Sequence, residues 1–469
     1  MGFFFEENMQ APFDIAADLD TPVSAYLKLR DLKPRFLLES VERGERLARY
    51  SFLGFGEALD LRLDDAGLRV GDSLSAQPSS RDEYLDALRA ALRQAPRPKP
   101  DIEGLPFNGG LVGVSGYDVV RLFERIPRKT VTQPNLPQAA FCATSSLLVF
   151  DHLSRRVALM HDGPEAERKA IRNDVIRALR GPVPDSDDDT VTTPAEAGMT
   201  EDEFCERVEA CKEFIVSGDI YQIVLSVLFR GQSNVRPFEV YRALRLLNPS
   251  PYMFFLEFGD LQIAGSSPEA LVKLNDGVAS LRPIAGTLPR GSTHEEDREN
   301  ESALLADPKE SAEHVMLVDL ARNDLGRVAV PGTVRVEPYR AVERYSHVMH
   351  IVSGVQGELD SSYDAFDLFA ASFPAGTLVG APKVRAMEII EDMEQTGRGL
   401  YAGTAGYFGI GGDMDQAITI RTLVFNGGEY SFQAGAGIVA DSVAKAEYRE
   451  VLAKSAILRS ALEIAGKGL

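Results

Sequence analysis

Two short breaks, Asn275-Asp276-Gly277 and Asn426-Gly427-Gly428, do most to limit what this chain can fold into. One separates LVKL from VASLRPI and the other AITIRTLVF from EYSFQAGAGIV, runs rich in β-branched and aromatic residues. Glycine-bearing turns of this length join neighbouring antiparallel strands, whereas a doubly wound parallel sheet needs a long, usually helical crossover at each such point. The class implied is α+β.

The first part of the chain is mixed as well. Helical periodicity near 82–94 stands beside strand-like stretches at 146–152 and 156–162. Residues 183–199, VPDSDDDTVTTPAEAGM, are acidic and poor in bulky apolar side chains, the composition of a linker or mobile loop. The organisation expected is an N-terminal portion at 1–182, this linker, and a C-terminal unit at 200–469. Thr200 stands three residues before Glu203, a capping box that opens a helix running to about Ser217 and stopping at Gly218.

With 70 acidic against 50 basic side chains the formal charge is -20, which argues against a general nucleic-acid binder because phosphate neutralisation needs a basic face. No run approaches the roughly 18 apolar residues of a membrane span, and the N-terminus lacks the basic region of a secretory signal. Three cysteines with no CxxC pair suit a reducing compartment, so the expected location is cytoplasmic. An acidic chain that binds an anion must build a local positive site, for which a divalent metal, an arginine and backbone N–H groups are the usual means.

Candidates for such a site exist. Glu310 and Glu313 share one face of a helix expected at about 309–325; Glu447 and Glu450 share a face of another near 444–464, with Lys454 one turn on. Hard oxygen pairs suit Mg²⁺, although such pairs on amphipathic helices are ordinarily solvated surface and Glu450 could simply pair with Lys454. Gly286, Thr287, Gly435, Ala436 and Gly437 offer backbone N–H groups with little bulk, or else mark close strand packing. Arg421 alternates with Thr419 and Leu423 on one face of an expected strand, where a guanidinium needs a carboxylate, whether of a ligand or of the protein.

Several motifs together resemble the chorismate-utilising enzymes, most closely the anthranilate synthase large subunits. They are GDIYQIVLS at 218–226, SPYMFFLEFGDLQIAGSSPEAL at 250–271, RPIAGTLPRG at 282–291, EHVMLVDLARNDLGRV at 313–328, ERYSHVMHIVSGVQGEL at 343–359, FPAGTLVGAPKVRAMEII at 373–390, YAGTAGYFG at 401–409 and QAGAGIVADS at 433–442, with LLESVERGERLARYSFLG at 37–54 matching more loosely. The resemblance implies large antiparallel sheets packed together and flanked by helices. It implies Mg²⁺ on Glu313 and Glu450, and chorismate carboxylates on Gly286, Thr287, Gly435, Ala436 and Gly437 with Arg421 and Tyr401. His350 is the implied acid/base group, with Thr377 nearby. Ser40 with Pro251, Tyr252 and Met253 would form a tryptophan feedback site, although LLES by itself reads only as a strand end.

The same resemblance separates reactions. Members that add water carry a lysine base where this chain has Gln222, and members that aminate at C4 carry a lysine where it has Ala285. An amide cannot deprotonate water and a methyl group cannot attack carbon, so ammonia adding at C2 is the expected chemistry, giving anthranilate and pyruvate. No cysteine has the flanking glycines of a glutaminase nucleophile, so the ammonia is expected from a glutamine amidotransferase partner in a hetero-oligomer, a heterotetramer in the family pattern. Rival readings are 2-amino-2-deoxyisochorismate synthase, which stops before pyruvate leaves, aminodeoxychorismate synthase, and a silent subunit binding chorismate or tryptophan.

Overall fold

The computed structural model describes residues 12–40, 49–133, 135–184, 190–344 and 348–468. Its strands form one large curled sheet and a separate three-stranded one, and neighbouring strands pair antiparallel. Both hairpins read from the turns are present, Ala270–Asn275 with Val278–Leu281 and Thr422–Asn426 with Glu429–Ile438. Asp276 takes φ 47° and Gly277 φ 76°, the left-handed pair that lets a tight turn follow the twist of its strands.

The large sheet is buried on both faces, and the period-two geometry of a strand explains how one run supplies two cores. Leu37, Leu53 and Leu148 point into one apolar cluster, while their neighbours Phe36, Phe52 and Val149 point into the other. Strands such as Ala139–Asp151 therefore read as nearly continuous apolar sequence and not as alternation. Helices Glu201–Val216, Pro237–Leu247 and Ala444–Lys467 pack on the first face.

Strands from before residue 183 and after residue 199 pair with one another. Pro34–Glu39 lies against Tyr252–Phe258, and Gly110–Ser115 against Thr404–Gly409. Within the expected linker, Thr192 bridges to Ser233 and Glu196–Ala197 pairs with the strand Gln222–Gln232; residues 185–189 lie outside the described residues. The capping box opens the next helix as expected: Thr200 Oγ1 accepts from Glu203 N at 3.3 Å and Glu203 Oε2 from Thr200 N at 2.9 Å. Gly218 follows its end at φ 83°.

One expectation fails. AITIRTLVF is not a single strand: Met414–Ile418 ends within it and Thr422–Asn426 begins within it, with Arg421 between them at φ 50°. The alternation of Thr419, Arg421 and Leu423 mimics a strand face, but the chain turns here so that each half pairs with a different partner, Ala270–Asn275 and Leu261–Ser267. Arg421 thus leaves the sheet and does not project from it.

Close cross-strand packing has a sharp test at Gly54, paired with Phe36, where an added methyl would lie 2.1 Å from the Phe36 ring. Gly54→Ala must displace that ring from the core, at a cost of about 1–3 kcal/mol. The expected result is a lower thermal midpoint by scanning calorimetry; an unchanged midpoint would mean the ring is loosely held.

Candidate functional site

The strands Gln222–Gln232 and Glu429–Ile438 form a floor in which Val224 faces Gly437, Leu225 faces Ala436 and Ser226 faces Gly435. Two side chains lie over the glycines. A methyl group at Gly435 would sit 2.7 Å from the Tyr401 hydroxyl, and one at Gly437 would sit 2.8 Å from the Gln222 amide nitrogen. Close approach is what these glycines allow, and it brings Tyr401 and Gln222 to the same surface. Lys454, from the helix Ala444–Lys467, closes that surface by donating to the Gly435 carbonyl at 3.0 Å.

Acidic side chains gather beside the floor. The Gln222 amide hydrogen-bonds Glu313, whose carboxyl is pushed up by burial and by the nearby charges of Glu310 and Glu450. Glu447 is pushed up as well, first by burial and then by Glu450. The helices Pro308–Gly326 and Ala444–Lys467 thus face each other with like charge, a cluster that Lys309 and Lys454 only partly offset. Glu450 is half-exposed and pairs with Lys454 at 2.7 Å, the contact expected of a surface residue. Among the described residues no three His, Cys, Asp or Glu side chains are spaced to enclose an ion unaided. Hard oxygens whose mutual repulsion is only partly offset nevertheless fit a divalent cation that takes its other ligands from water and substrate.

The three-stranded sheet supplies another wall. In Ile284–Pro289 a β-bulge falls at Gly286, φ 68°, so that Ala285 pairs with Ile351 and Thr287 with His350. His350 Nδ1 lies 2.9 Å from the Gly286 carbonyl. A carbonyl only accepts, so Nδ1 carries the proton and Nε2 the lone pair of the neutral ring. Burial, joined by Arg421, pulls the His350 pKa down and keeps the ring neutral. A methyl at Gly286 would lie 3.1 Å from Glu310 Oε2, which ties this wall to the acidic cluster.

Arg421 is where burial and charge conflict most. Its guanidinium is depressed by burial, and among the described residues it makes no hydrogen bond or ion pair; Glu269 is the charge that partly offsets the loss of water. A part-buried, unpaired guanidinium is a strong site for a carboxylate. Glu269 itself went unremarked in the sequence. Its carboxyl is raised to about 7 by burial, against the Thr377 hydrogen bond and the charges of Arg421 and Lys454. Thr377 Oγ1 donates to Glu269 Oε1 at 2.9 Å, so Thr377 serves this carboxyl. A lone acid after proline, between two apolar strands, is the only hint the sequence carries.

Further polar side chains within the same motifs are held by structural contacts. His314 Nε2 meets Ser353 Oγ at 2.7 Å in the core, Lys383 pairs with Asp324 at 2.7 Å, and Arg385 pairs with Glu388 at 2.9 Å. His347 lies outside the described residues, and the segment 37–54 is described at both ends but not at 41–48. Ser40 follows the strand Pro34–Glu39, whose Glu39 pairs with Met253, so Ser40 comes beside the Pro251-Tyr252-Met253 run. Tyr252 donates its hydroxyl to Asp415. Burial pushes the Cys142 and Cys211 thiols up to about 12, and Cys205 is raised too, so none is an activated thiolate.

The Glu269 carboxyl gives a pH test independent of turnover. Below its ordinary 4.5 it is protonated whether the chain is folded or not; as pH rises the unfolded chain ionises first, and the folded carboxyl only through about 7. The native state loses stability across that window, in total about 3 kcal/mol. Glu269→Gln is expected to raise the thermal midpoint above that of the parent at pH 8 and to leave it nearly equal at pH 4.5. Equal midpoints at pH 8 would show that the carboxyl ionises freely.

The sequence model of the chorismate binding enzyme family matches residues 33–460. Anthranilate synthase component 1 of Acetivibrio thermocellus is 41% identical over 471 aligned residues, covering 97% of this chain and 95% of that protein. The protein of the same name from Thermus thermophilus is 44% identical over 460, covering 97% of each. The crystal structure of anthranilate synthase component I from Streptococcus pneumoniae superposes with a TM-score of 0.79 at 35% identity, covering 95% of this chain and 99% of that one. A menaquinone-specific isochorismate synthase from Escherichia coli has a TM-score of 0.68 at 20% identity over 94% of this chain and 91% of its own, a likeness of fold. With its two packed cores, its glycine-lined floor and these relatives along nearly its whole length, the chain belongs to the anthranilate synthase component 1 family of chorismate-binding enzymes.

Proposed function

We propose that the chain converts chorismate and ammonia to anthranilate and pyruvate, as the first step of tryptophan synthesis, with ammonia delivered by a separate glutamine amidotransferase subunit. The observation that carries the reading is the position of Gln222. Its amide lies over Gly437 and against Glu313, so the side chain at the acidic end of the site is one that cannot deprotonate water. Ammonia needs no base to expose its lone pair. The relatives named anthranilate synthase component 1 support the same choice. The raised pKa values of all three thiols support an outside source of ammonia.

In this reading Arg421 takes one substrate carboxylate, with Tyr401 beside it, and the backbone at Gly286-Thr287 and Gly435–Gly437 borders the remainder. Magnesium held by Glu313 and Glu450 would fix the other carboxylate and draw negative charge away from the ring. Nitrogen bonds to C2 and then releases one proton to solvent, the ring double bonds shift, and the C4–O bond breaks. Glu269, protonated up to about pH 7, gives its proton to that oxygen, which leaves as water. In the second half His350, with its lone pair on Nε2, takes the proton from C2. The enolpyruvyl C–O bond then breaks, pyruvate departs after gaining a proton, and the ring becomes aromatic.

Incubation of the purified chain with chorismate, Mg²⁺ and high ammonium at near-neutral pH, where some ammonia is free and part of Glu269 keeps its proton, should give fluorescent anthranilate and equimolar pyruvate. Chelation of the metal should stop it and added Mg²⁺ restore it. An amino acid product without pyruvate, or no turnover, would overturn the assignment. Tryptophan is the expected inhibitor, bound where Ser40 meets Pro251, Tyr252 and Met253; Ser40→Phe should relieve inhibition while leaving ammonia-dependent turnover within about twofold of the parent. Unchanged inhibition would rule that site out.

A further inference from the structure

Along the edge of the strand Gln222–Gln232, where its main-chain groups turn away from Glu429–Ile438, lies an ion pair that the reaction does not touch. Arg398 and Glu394 are 1% and 3% exposed, and they meet twice, Nε to Oε2 at 2.9 Å and Nη2 to Oε1 at 2.7 Å. Burying two charges costs several kcal/mol for each ion, and apolar side chains of similar volume often give equal or better stability. What the pair supplies in return is direction. Arg398 Nη1 donates to the Leu378 carbonyl at 2.7 Å and Nη2 to the Val224 carbonyl at 2.8 Å. Leu378 follows Thr377, which holds Glu269; Val224 faces Gly437 across the floor. The guanidinium carbon also stands 5.7 Å from the centre of the Tyr401 ring and 5.1 Å from that of Tyr117. Glu394 is fixed in turn, because its Oε1 accepts from Ser226 N at 3.0 Å and Ser226 Oγ at 2.7 Å, and Gln433 Nε2 donates to that hydroxyl at 2.8 Å.

We propose that Arg398 is a positioning residue: from inside the core it holds the Tyr401 hydroxyl over Gly435 and locks it to the turn carrying Thr377. A planar guanidinium whose N–H groups point at a carboxylate and two carbonyls is fixed in place, and the Tyr401 ring packed beside it has one resting place. Lysine in its stead keeps the charge and loses the plane. The part of this that concerns substrate rests on Tyr401 lining the chorismate site.

The test is Arg398→Lys, studied in two ways. A crystal structure of the variant should have the Tyr401 hydroxyl displaced from Gly435; a hydroxyl that has not moved overturns the proposal, whatever the protein binds. Chorismate binding, measured by calorimetry without ammonium, should weaken about tenfold, and in a double-mutant cycle Arg398→Lys should add less than about twofold to Tyr401→Phe. Losses that multiply would mean that Arg398 acts elsewhere. Should Arg398→Lys not fold, Ser226→Ala, which removes one hydrogen bond to Glu394, enters the same two measurements with smaller shifts in the same direction. If the parent binds no chorismate, the reading of the substrate fails, while the crystallographic result still decides the positioning role.

Discussion

The long antiparallel ladder between Gln222–Gln232 and Glu429–Ile438 is the constraint on which the rest depends. It puts a strand with the Gln222 amide at one end against a strand that carries Gly435, Ala436 and Gly437, and its register decides which side chain overlies which glycine. A slip of one residue would turn every side chain to the opposite face. Apolar burial fixes that register from below, through Ile223, Leu225, Val227 and Phe229 against Ala434, Ala436 and Ile438. The Glu394 carboxylate, bonded to Ser226 at the strand's other edge, fixes it again by hydrogen bonding.

On that floor the chain separates charge. One end gathers Glu310, Glu313, Glu447 and Glu450 with two lysines; the other holds Arg421, neutral His350 and a carboxyl that keeps its proton up to about pH 7. An acidic protein gains affinity for a dicarboxylate only by such local reversal. At the positive end it does so with one unpaired guanidinium, and at the negative end with a cluster that invites a cation.

How much of this is legible in the sequence depends on the range of the interaction. Turn and cap signals are local and hold: the Asp276-Gly277 turn, the Thr200–Glu203 box and the stop at Gly218 are all present. Arg421 misleads because three alternating residues fit a strand, while the reason the strand breaks is that its halves pair with separate partners far away in the chain. Glu269 passes unnoticed because its character comes from burial beneath Thr377, 108 residues away, and no spacing encodes that. Arg398 and Glu394 form an ordinary i,i+4 pair on paper; only the packed core makes them the least solvated charges near the site. The family motifs carry residues that periodicity cannot rank, since Glu450 beside Lys454 has the geometry of any exposed pair.

The strand Tyr252–Phe258 has two neighbours. On one edge Met253 pairs with Glu39, next to Ser40; on the other Met253 pairs with Ser266 and Tyr252 with Ser267. Ser266 N donates to the Arg421 carbonyl at 3.1 Å, and Ser267 Oγ to the Glu269 carbonyl at 3.2 Å. Tyr252 and Met253 are therefore one strand spacing, about 4.8 Å, from Ser266 and Ser267, which in turn hold the main chain of Arg421 and Glu269. Control over such a distance needs no relay of domain motions: a ligand wedged beside Tyr252 would work as a shim, changing the tilt of a rung whose far side carries Arg421 and Glu269 together.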